Sequence, residues 1–487
     1  MTSAPGLESF TRFDWKPQPE AQALVNELLS GFLARCPGAA TLARRMEHDT
    51  ATRFGDWVDT IQWPRDTALR ARLLDVGFER RAMAGAPECF VHAGAMFPTI
   101  VLDAKPVARV FVKVESVVDF LAAWSIADDP GTADDNVEGE PLSPMRRARA
   151  FVASDPGGTG AQPVAGPGGT GVPPMSELWV IERHGYRGFT VPKPDPDRPP
   201  LILKHSEAFR RRRRDFPDDV HGFDHLHLLV DAAIADLGPD LACDLFFAGE
   251  REFWQRRNRA AQTQKARQDK LGLGWANHDH HTYRSGRQWF THTVALFEKL
   301  GFQARERFYA GEEAGWGAQV LEQPEAGIVI FADVDLSPDE ITGNFAHEPL
   351  EARKELGTVG LWCGLHGESI LQAGMHHLEC QFRHDALVDQ LEAAHIETMA
   401  PFTDFPFLKQ AFTAGERWPV AERRIARLLE LGQITPAQAA QFRAQGAIGS
   451  HLENLERNDG YKGFNQKGVS EIIARTDPRR QAEVIGA

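Results

Sequence analysis

The chain has 487 residues, with 54 Lys or Arg against 68 Asp or Glu and a formal net charge of −14, so about three domains of ordinary size are expected. This acidic balance argues against a general nucleic-acid binder, because phosphate contacts need clustered basic side chains. There is no apolar run of the ~20 residues that span a bilayer, no secretory signal and no CxxC pattern among the five cysteines, so we expect a cytoplasmic protein that does not bind membranes and has no disulfide framework.

Residues 1–127 are predicted to form an N-terminal α+β domain. The stretch PEAQALVNELLSGFLARCPG has apolar residues at helical spacing and stops at Pro37, and TALRARLLDVGF predicts a second helix. Three apolar runs, CFVHAG, FPTIVLD and ARVFVKV, have the length of strands and are bounded by Gly, Pro and Asp.

The composition changes three times after this domain. Residues 128–177 are dense in Gly, Pro and Asp and predict a flexible linker or disordered insertion. Residues 178–274 predict a short strand followed by polar helices such as FDHLHLLVDAAIADLG. Residues 275–487 alternate strand and helix patterns and are rich in histidine, which makes this segment the candidate for a metal-binding catalytic domain.

A weak internal repeat links the two ends of the chain. Residues 74–103 and 296–333 both follow the order helix end, Gly-Phe, Arg-rich strand, Ala-Gly and two more strands. The glycine suits the left-handed position after a helix. The repeat predicts a duplicated βαβββ module, and the alternative is two independent αβ hairpin units.

Three strand-like segments of the C-terminal domain carry metal-ligand side chains. Because alternate residues of a strand share a face, NHDHHTYRS places His278, His280, Thr282 and Arg284 on one side. GMHHLECQF separates His377, Glu379 and Gln381 from a mostly apolar face, and in GSHLENLER His451 and Glu453 share a face.

Two imidazoles and one carboxylate from separate strands suit a non-haem iron site, because they hold the metal on one face and leave three positions open. Each segment also has a plain interpretation. A histidine pair on a strand is commonly a half-buried polar pair, and Glu453 is compatible with a solvated face. Pattern alone leaves these alternatives open.

The stretch HLENLERNDGYKGFNQKGVSEII (451–473) resembles the C-terminal signature of 4-hydroxyphenylpyruvate dioxygenase and hydroxymandelate synthase, and also that of the 2-oxoadipate dioxygenase/decarboxylase family. All belong to the vicinal oxygen chelate superfamily of paired βαβββ modules. The 2-oxoadipate family fits better upstream. Its Asp-His-x-x-x-Arg motif matches 279–284, and its Asn-His-Val-Thr strand matches 376–379, with Glu379 in place of the usual Thr.

The resemblance implies an α+β fold in which paired βαβββ modules form a metal-holding half-barrel. It implies His280, His377 and Glu453 as metal ligands and Arg284 as a catalytic residue that binds a substrate carboxylate. It also implies that Gly463 and Phe464 close over the substrate from the final helix. We expect the side chains that contact the ligand imidazoles and fix their tautomers to be those of His278, Glu379 and Gln381.

The activity that the resemblance implies is an iron(II)-dependent dioxygenase and decarboxylase. Its substrates would be dioxygen and a 2-oxo acid, for which the family example is the conversion of 2-oxoadipate to 2-hydroxyglutarate in lysine breakdown. No second oxo acid is required, because the substrate supplies its own. About 70 residues between Gln381 and Glu453, and the whole N-terminal region, have no counterpart that the resemblance places.

Three alternatives stay open. Another divalent metal on the same fold would favour a lyase, an isomerase or a ring-cleaving dioxygenase. The spacing His221-x-x-x-His225-x-His227 suits zinc on a helix, although a polar helix entry explains it as well. The third alternative is a non-catalytic ligand-binding protein. The N-terminal domain offers WVDTIQW where a first ligand would lie, so we expect it to be structural.

Overall fold

A computed structural model describes residues 15–83, 85–126, 137–154, 164–165, 171–172, 175–465, 477 and 479. These residues form two large β-sheets that pack against helices, and a helical segment lies between the sheets in sequence. The α+β class and the helical middle segment expected from the sequence are confirmed. Within the described part of the chain, no helix combines the length and apolar character needed to cross a membrane.

The N-terminal part begins with two helices and continues into the first sheet. Pro37 separates the helices, as predicted, because proline is tolerated in the first turn of the second helix but not inside the first. The elements are α1 (Pro19–Arg35), α2 (Pro37–Thr50), β1 (Val58–Pro64), α3 (Thr67–Asp75), β2 (Glu79–Met83), β3 (Ala86–Val91), β4 (Thr99–Asp103), β5 (Val107–Lys113), α4 (Val117–Ala123), β6 (Val137–Glu138), β7 (Met145–Ser154), β8 (Val164–Ala165), β9 (Gly171–Val172) and β10 (Met175–Arg183).

The first sheet contains a complete pair of βαβββ modules. Its strand order is β2-β3-β4-β1-β5-β10-β7-β6. One module is β1-α3-β2-β3-β4 and the other is β5-α4-β6-β7-β10, and the two meet where β1 pairs antiparallel with β5. The N-terminal region therefore holds two modules where the sequence indicated one.

The segment 128–177 differs from the linker predicted for it. Residues 145–154 form the ten-residue strand β7, which pairs antiparallel with β10 along its whole length. Ladder hydrogen bonds to a distant strand stabilise this segment, and its Arg-rich sequence carries no apolar run that would signal them. The Gly/Pro-dense remainder lies largely outside the described residues.

Four helices follow the first sheet and pack into the core of the second. From α7 (Pro239–Gln255), Phe246, Phe247 and Trp254 are fully buried, and the ring of Phe247 lies 6.1 Å from that of Tyr283. The other helices of this group are α5 (Arg198–Arg210), α6 (Asp219–Leu237) and α8 (Arg259–Asp269).

The second sheet repeats the topology of the first. Its elements are β11 (His278–Arg284), α9 (Phe290–Lys299), β12 (Gln303–Tyr309), β13 (Trp316–Gln323), β14 (Ile328–Asp335), α10 (Thr358–His366), β15 (His377–Gln381), α11 (His384–Glu392), β16 (Thr403–Phe405), β17 (Leu408–Phe412), β18 (Glu416–Trp418), α12 (Glu422–Glu430), α13 (Pro436–Gln445) and β19 (Ala447–Arg457).

The strand order β12-β13-β14-β11-β15-β19-β17-β16 again joins two βαβββ modules into a curled half-barrel, with β18 pairing β19 outside this path. The repeat seen in the sequence is confirmed. Residues 74–103 cover the end of α3 and strands β2 to β4, and residues 296–333 cover the end of α9 and strands β12 to β14. The region after Gln381 that the resemblance did not place contains β16 and β17, which complete the last module, and the inserted β18, α12 and α13.

Candidate metal centre and substrate pocket

Residues from three adjacent strands bring the predicted ligands together on one face of the second sheet. The helices α6, α7 and α9 pack on the other face, and α10 packs on the same face as the ligands. In the antiparallel pairing of β11 with β15, His280 lies opposite Glu379, and in the parallel pairing of β15 with β19, Glu379 lies beside Glu453. We call these three residues the carboxylate rung. The next rung contains Thr282, His377 and His451, and we call it the imidazole rung.

The side chains of His280, His377, Glu379 and Glu453 are buried and in close contact. The Nε2 atom of His280 is 3.2 Å from Glu379 Oε1, and the Nε2 atom of His377 is 2.5 Å from the same oxygen. His377 Nε2 is also 3.8 Å from Glu453 Oε2. One ligand atom from each residue of the carboxylate rung lies within 4.8 Å of the other two. The carboxylate rung thus brings two of the predicted ligands, His280 and Glu453, together with Glu379, and the third predicted ligand, His377, contacts both carboxylates from the next rung.

The imidazole of His280 is held by a network on its other side. Its Nδ1 is 3.0 Å from Asp279 Oδ1, and Asp279 accepts hydrogen bonds from Arg457 at 2.9 and 3.0 Å and from Gln381 at 3.2 Å. Burial by itself would raise the pKa of Asp279, but the charge and hydrogen bonds of Arg457 hold it well below its usual range. An ionised Asp279 directs His280 Nε2 toward the carboxylates.

Burial keeps both imidazoles neutral. It lowers the pKa of His280 to about 4, against the opposing effect of Asp279, and lowers the pKa of His377 well below its ordinary value. A neutral imidazole offers a lone pair to a metal, whereas a protonated one does not.

The two carboxyl groups have the opposite shift. Burial raises the pKa of Glu453 to about 7, and burial together with the charge of Glu453 raises that of Glu379 well above its ordinary value. Gln410 Nε2 donates a 2.9 Å hydrogen bond to Glu453 Oε1, and Thr282 Oγ1 donates one of 3.1 Å to Glu379 Oε1. The other oxygen of Glu379 is buried without a hydrogen-bond partner.

This donor set fits a divalent metal. Buried carboxylates that face each other destabilise the protein unless a cation compensates them, and neutral imidazoles supply none of the missing positive charge. Nitrogen and oxygen donors of this kind suit iron(II) and its neighbours among the divalent metals.

Arg284 and Asp333 form a second polar group on the same face. Arg284 follows His280 by four residues, about 13 Å along the strand, and its register partner on β14 is Asp333. Arg284 Nε is 4.0 Å from Asp333 Oδ2, which is too long for a hydrogen bond. The Nε and Nη1 atoms of Arg284 and the Oδ1 atom of Asp333 are buried without partners, and burial raises the pKa of Asp333 to about 8.

A pocket with an empty volume of about 560 Å³ joins the two polar groups. Its polar lining includes the three predicted ligands, Arg284 and Asp333, and its wall is aromatic, formed by Phe308, Trp316, Phe331, Phe402, Phe412 and Phe464. Unpartnered polar atoms at the end of an aromatic pocket are typical of a small-molecule site.

Phe464 covers the carboxylate rung. Its ring lies 4.7 Å from the His280 ring and 4.6 Å from the Phe331 ring. Arg457 stacks on it at 4.5 Å and donates a 2.7 Å hydrogen bond to the carbonyl of Gly463. The final helix that was expected after this pair lies outside the described residues.

His278 does not share the face of His280, and this expectation is wrong. A β-bulge between the two residues shifts the register, so that His278 lies opposite the core residue Cys380 and its ring packs 5.2 Å from that of His281. Of the other two residues expected near the ligands, Gln381 reaches His280 only through Asp279, and Glu379 contacts both imidazoles directly.

The alternative site on α6 gathers no comparable group. His221 lies at the exposed helix start, where Asp218 caps the helix and contacts the imidazole at 2.8 Å. Among the described residues, the only three or more His, Cys, Asp or Glu side chains close enough to share a metal ion are those of the carboxylate rung.

Sequence reasoning missed four residues of the site: Asp279, Asp333, Gln410 and Arg457. Asp279 directly precedes the predicted ligand His280, and Arg457 follows the predicted ligand Glu453 by four residues. Both residues therefore lie inside the motifs that pointed to the ligands. Asp333 and Gln410 lie on strands whose sequences, GIVIFADVDLS and FPFLKQAF, contain no histidine, and only strand pairing brings them to the pocket.

No protein-family model matches the chain, and no curated protein matches it in sequence. Solved structures that match include a glyoxalase superfamily protein from Ralstonia eutropha, at 12% identity over 55% of this chain and 98% of the other, with a TM-score of 0.30. A variant of 4-hydroxymandelate synthase from Streptomyces coelicolor matches at 13% identity over 89% and 99%, with a TM-score of 0.26. Hydroxyglutarate synthase from Pseudomonas putida, in complex with 2-oxoadipate, matches at 12% identity over 53% and 63%, with a TM-score of 0.21. Because these TM-scores are low, the assignment of paired βαβββ modules depends on the strand order of the two sheets.

Proposed function

We propose that the protein is a metal-dependent dioxygenase and decarboxylase of a 2-oxo acid, with iron(II) as the metal and 2-oxoadipate as the substrate. The observation that carries this proposal is the convergence of His280, His377 and Glu453 in one buried pocket that ends at the unpartnered guanidinium of Arg284. The resemblance of 279–284 and 451–473 to the 2-oxoadipate family also supports it.

In this proposal His280, His377 and Glu453 hold the metal. Iron(II) would supply a redox centre that orients the 2-oxo acid and dioxygen and accepts electrons. The protein's own contribution is to fix the ligands: Asp279 keeps the Nδ1 side of His280 occupied, and Gln410 fixes the orientation of the Glu453 carboxylate.

Arg284 and Asp333 would recognise the far end of the substrate. The Nε and Nη1 atoms of the guanidinium have no hydrogen-bond partner, so their N–H groups are free to donate charge-assisted hydrogen bonds to a substrate carboxylate. With its pKa near 8, Asp333 is mostly protonated at neutral pH and offers a further donor beside Arg284. A dicarboxylic 2-oxo acid satisfies both ends of the pocket.

The aromatic wall would exclude water from the reacting atoms. Phe331, Phe412 and Phe464 surround the carboxylate rung and leave few competing hydrogen-bond partners near it. Exclusion of water strengthens the interaction of Arg284 with an anion and protects reactive species from hydrolysis.

A second candidate function is a lyase or isomerase on the same fold. The buried Glu379 carboxylate favours it, because an unpartnered oxygen beside the pocket provides a base that a proton-transfer reaction requires. Such a reaction needs a divalent metal but no dioxygen.

Oxygen uptake tests the proposal. Protein loaded anaerobically with iron(II) is mixed with oxygenated buffer that contains 2-oxoadipate, 4-hydroxyphenylpyruvate or no substrate. We expect uptake with 2-oxoadipate alone, matched by an equal amount of CO2. Consumption of a 2-oxo acid without oxygen uptake would contradict the oxidative reaction and favour the lyase or isomerase.

A further inference from the structure

We propose that Glu379 is a fourth protein ligand, so that the metal is held by two imidazoles and two carboxylates. This inference rests on the metal site of the proposed function and adds one residue to it. Where the 2-oxoadipate family usually has a threonine, this chain places a carboxylate in the middle of the ligand set.

The position of Glu379 is that of a ligand. Its Oε1 atom is 3.2 Å from His280 Nε2 and 2.5 Å from His377 Nε2, and its carboxylate shares a rung with that of Glu453. It is fully buried, and an ion within reach of His280 and Glu453 is also within reach of Glu379. Ligands of one metal ion lie at such mutual distances.

A purely positioning role does not account for these contacts. For Glu379 to fix the imidazoles by accepting hydrogen bonds, both Nε2 atoms would have to carry protons, and a protonated nitrogen has no lone pair for a metal. His280 already has a positioning carboxylate, because Asp279 contacts its Nδ1 atom. At His280, Glu379 therefore contacts the one ring nitrogen that is left for a metal.

The charge balance points the same way. A divalent ion balances the charges of Glu379 and Glu453 together, so its binding removes the cost of burying two carboxylates side by side. Direct coordination by both brings each negative charge closest to the ion, where the attraction is strongest.

Four protein ligands leave two of six positions free, enough for a chelating 2-oxo acid. A reaction that needs a third free position requires the Glu379 carboxylate to move away. A lyase or isomerase does not require this movement, so the role of Glu379 bears on both candidate functions.

Metal affinity tests the inference without reference to turnover. Cobalt(II) is titrated anaerobically into the wild-type protein, Glu379→Gln, Glu379→Ala and the matched control Glu177→Gln, which changes a buried carboxylate on the first sheet. We expect one ion per wild-type and control chain, and a loss of more than about a hundredfold in affinity for both Glu379 variants, beyond the ten- to hundredfold typical of a residue that only contacts a ligand. At saturation, the visible spectrum of bound cobalt should also differ between Glu379→Gln and wild type, because it reports coordination geometry.

The glutamine variant separates the two roles, because its amide oxygen still accepts hydrogen bonds. A Glu379→Gln protein that binds cobalt within about tenfold of wild type and has the same spectrum would overturn the inference alone. A wild-type protein that binds no metal would overturn the proposed function together with the inference. Thermal unfolding of each variant checks that the protein is folded during the titration.

Discussion

The two sheets have the same strand order and the same irregularity but different central residues. In the first sheet a β-bulge separates Val58 from Thr60, and in the second a β-bulge separates His278 from His280 at the same place in the module. This shared bulge aligns the two sheets residue by residue, with Thr60 at the position of His280.

The aligned rungs differ in chemistry. The carboxylate rung corresponds to Thr60, Phe111 and Trp179, where the rings of Phe111 and Trp179 lie 5.9 Å apart. In the imidazole rung, His377 corresponds to Arg109 of the first sheet, and His451 corresponds to Glu177. Arg109 and Glu177 form an ion pair with a distance of 2.6 Å.

The difference shows what the fold provides and what it does not. Both sheets have central polar groups at corresponding positions, but on the first sheet these groups form hydrogen bonds with one another, and on the second they stay unpartnered or crowded. Unpartnered buried groups destabilise a protein and are retained where they bind something. The proposed chemistry therefore depends on two rungs of one sheet rather than on the module itself.

The largest expected effect is at the first ligand. His280→Ala should lower metal affinity by more than about a hundredfold and abolish oxygen uptake, because it removes a donor nitrogen that no neighbour replaces. The corresponding change in the first sheet, Thr60→Ala, should alter neither. Metal content after gel filtration reports metal binding, and oxygen uptake with 2-oxoadipate reports turnover. Retained metal and turnover in His280→Ala would remove His280 from the ligand set.

Arg284→Ala should raise the KM for 2-oxoadipate by about ten- to a hundredfold, since a charge-assisted hydrogen bond to the substrate is lost. The metal content should not change, because Arg284 contacts none of the proposed ligands through a hydrogen bond. Arg109→Ala, which removes a guanidinium from the same face of the first sheet, should leave KM unchanged. Steady-state kinetics of both variants measure the two KM values. An unchanged KM in Arg284→Ala would refute the role of Arg284 in substrate recognition.

Asp279→Ala should weaken metal binding by about ten- to a hundredfold, less than His280→Ala, because His280 remains but loses its orientation. Asp279→Asn keeps an acceptor for His280 Nδ1 and should recover part of the loss. Anaerobic metal titration gives the three affinities. Equal affinities in wild type and Asp279→Ala would show that Asp279 does not support the ligand.

The smallest effect on the site is expected from Glu177→Ala. Removing this carboxylate leaves Arg109 without its partner, so the free energy of unfolding should fall by about 1–3 kcal/mol. Metal affinity and turnover should stay at the wild-type level. Urea unfolding and metal titration measure the two quantities, and a loss of metal from the folded variant would show that the sheets are coupled.

Several features of the fold could be predicted from the sequence because their signals are local. The helix before Pro37, the strands of residues 86–113 and the repeat of 74–103 in 296–333 depend on spacing within a few residues. The alternation of side chains along β15 and β19 likewise placed His377, Glu379 and Glu453 on the pocket face. The same rule failed at His278, because one extra residue in a bulge reverses the face of every residue before it.

The sequence by itself determined which residue types are available and which of them share a face: histidines and glutamates on β11, β15 and β19, and Arg284 two residues beyond Thr282. Only the tertiary structure decided that Glu379 lies between both imidazoles, that Asp333 faces Arg284 without a hydrogen bond, and that Arg457 reaches back to Asp279. The reason is that a strand's own alternation repeats every two residues, whereas its neighbours across the sheet are set by the register between segments that are far apart in the chain, which no local pattern encodes.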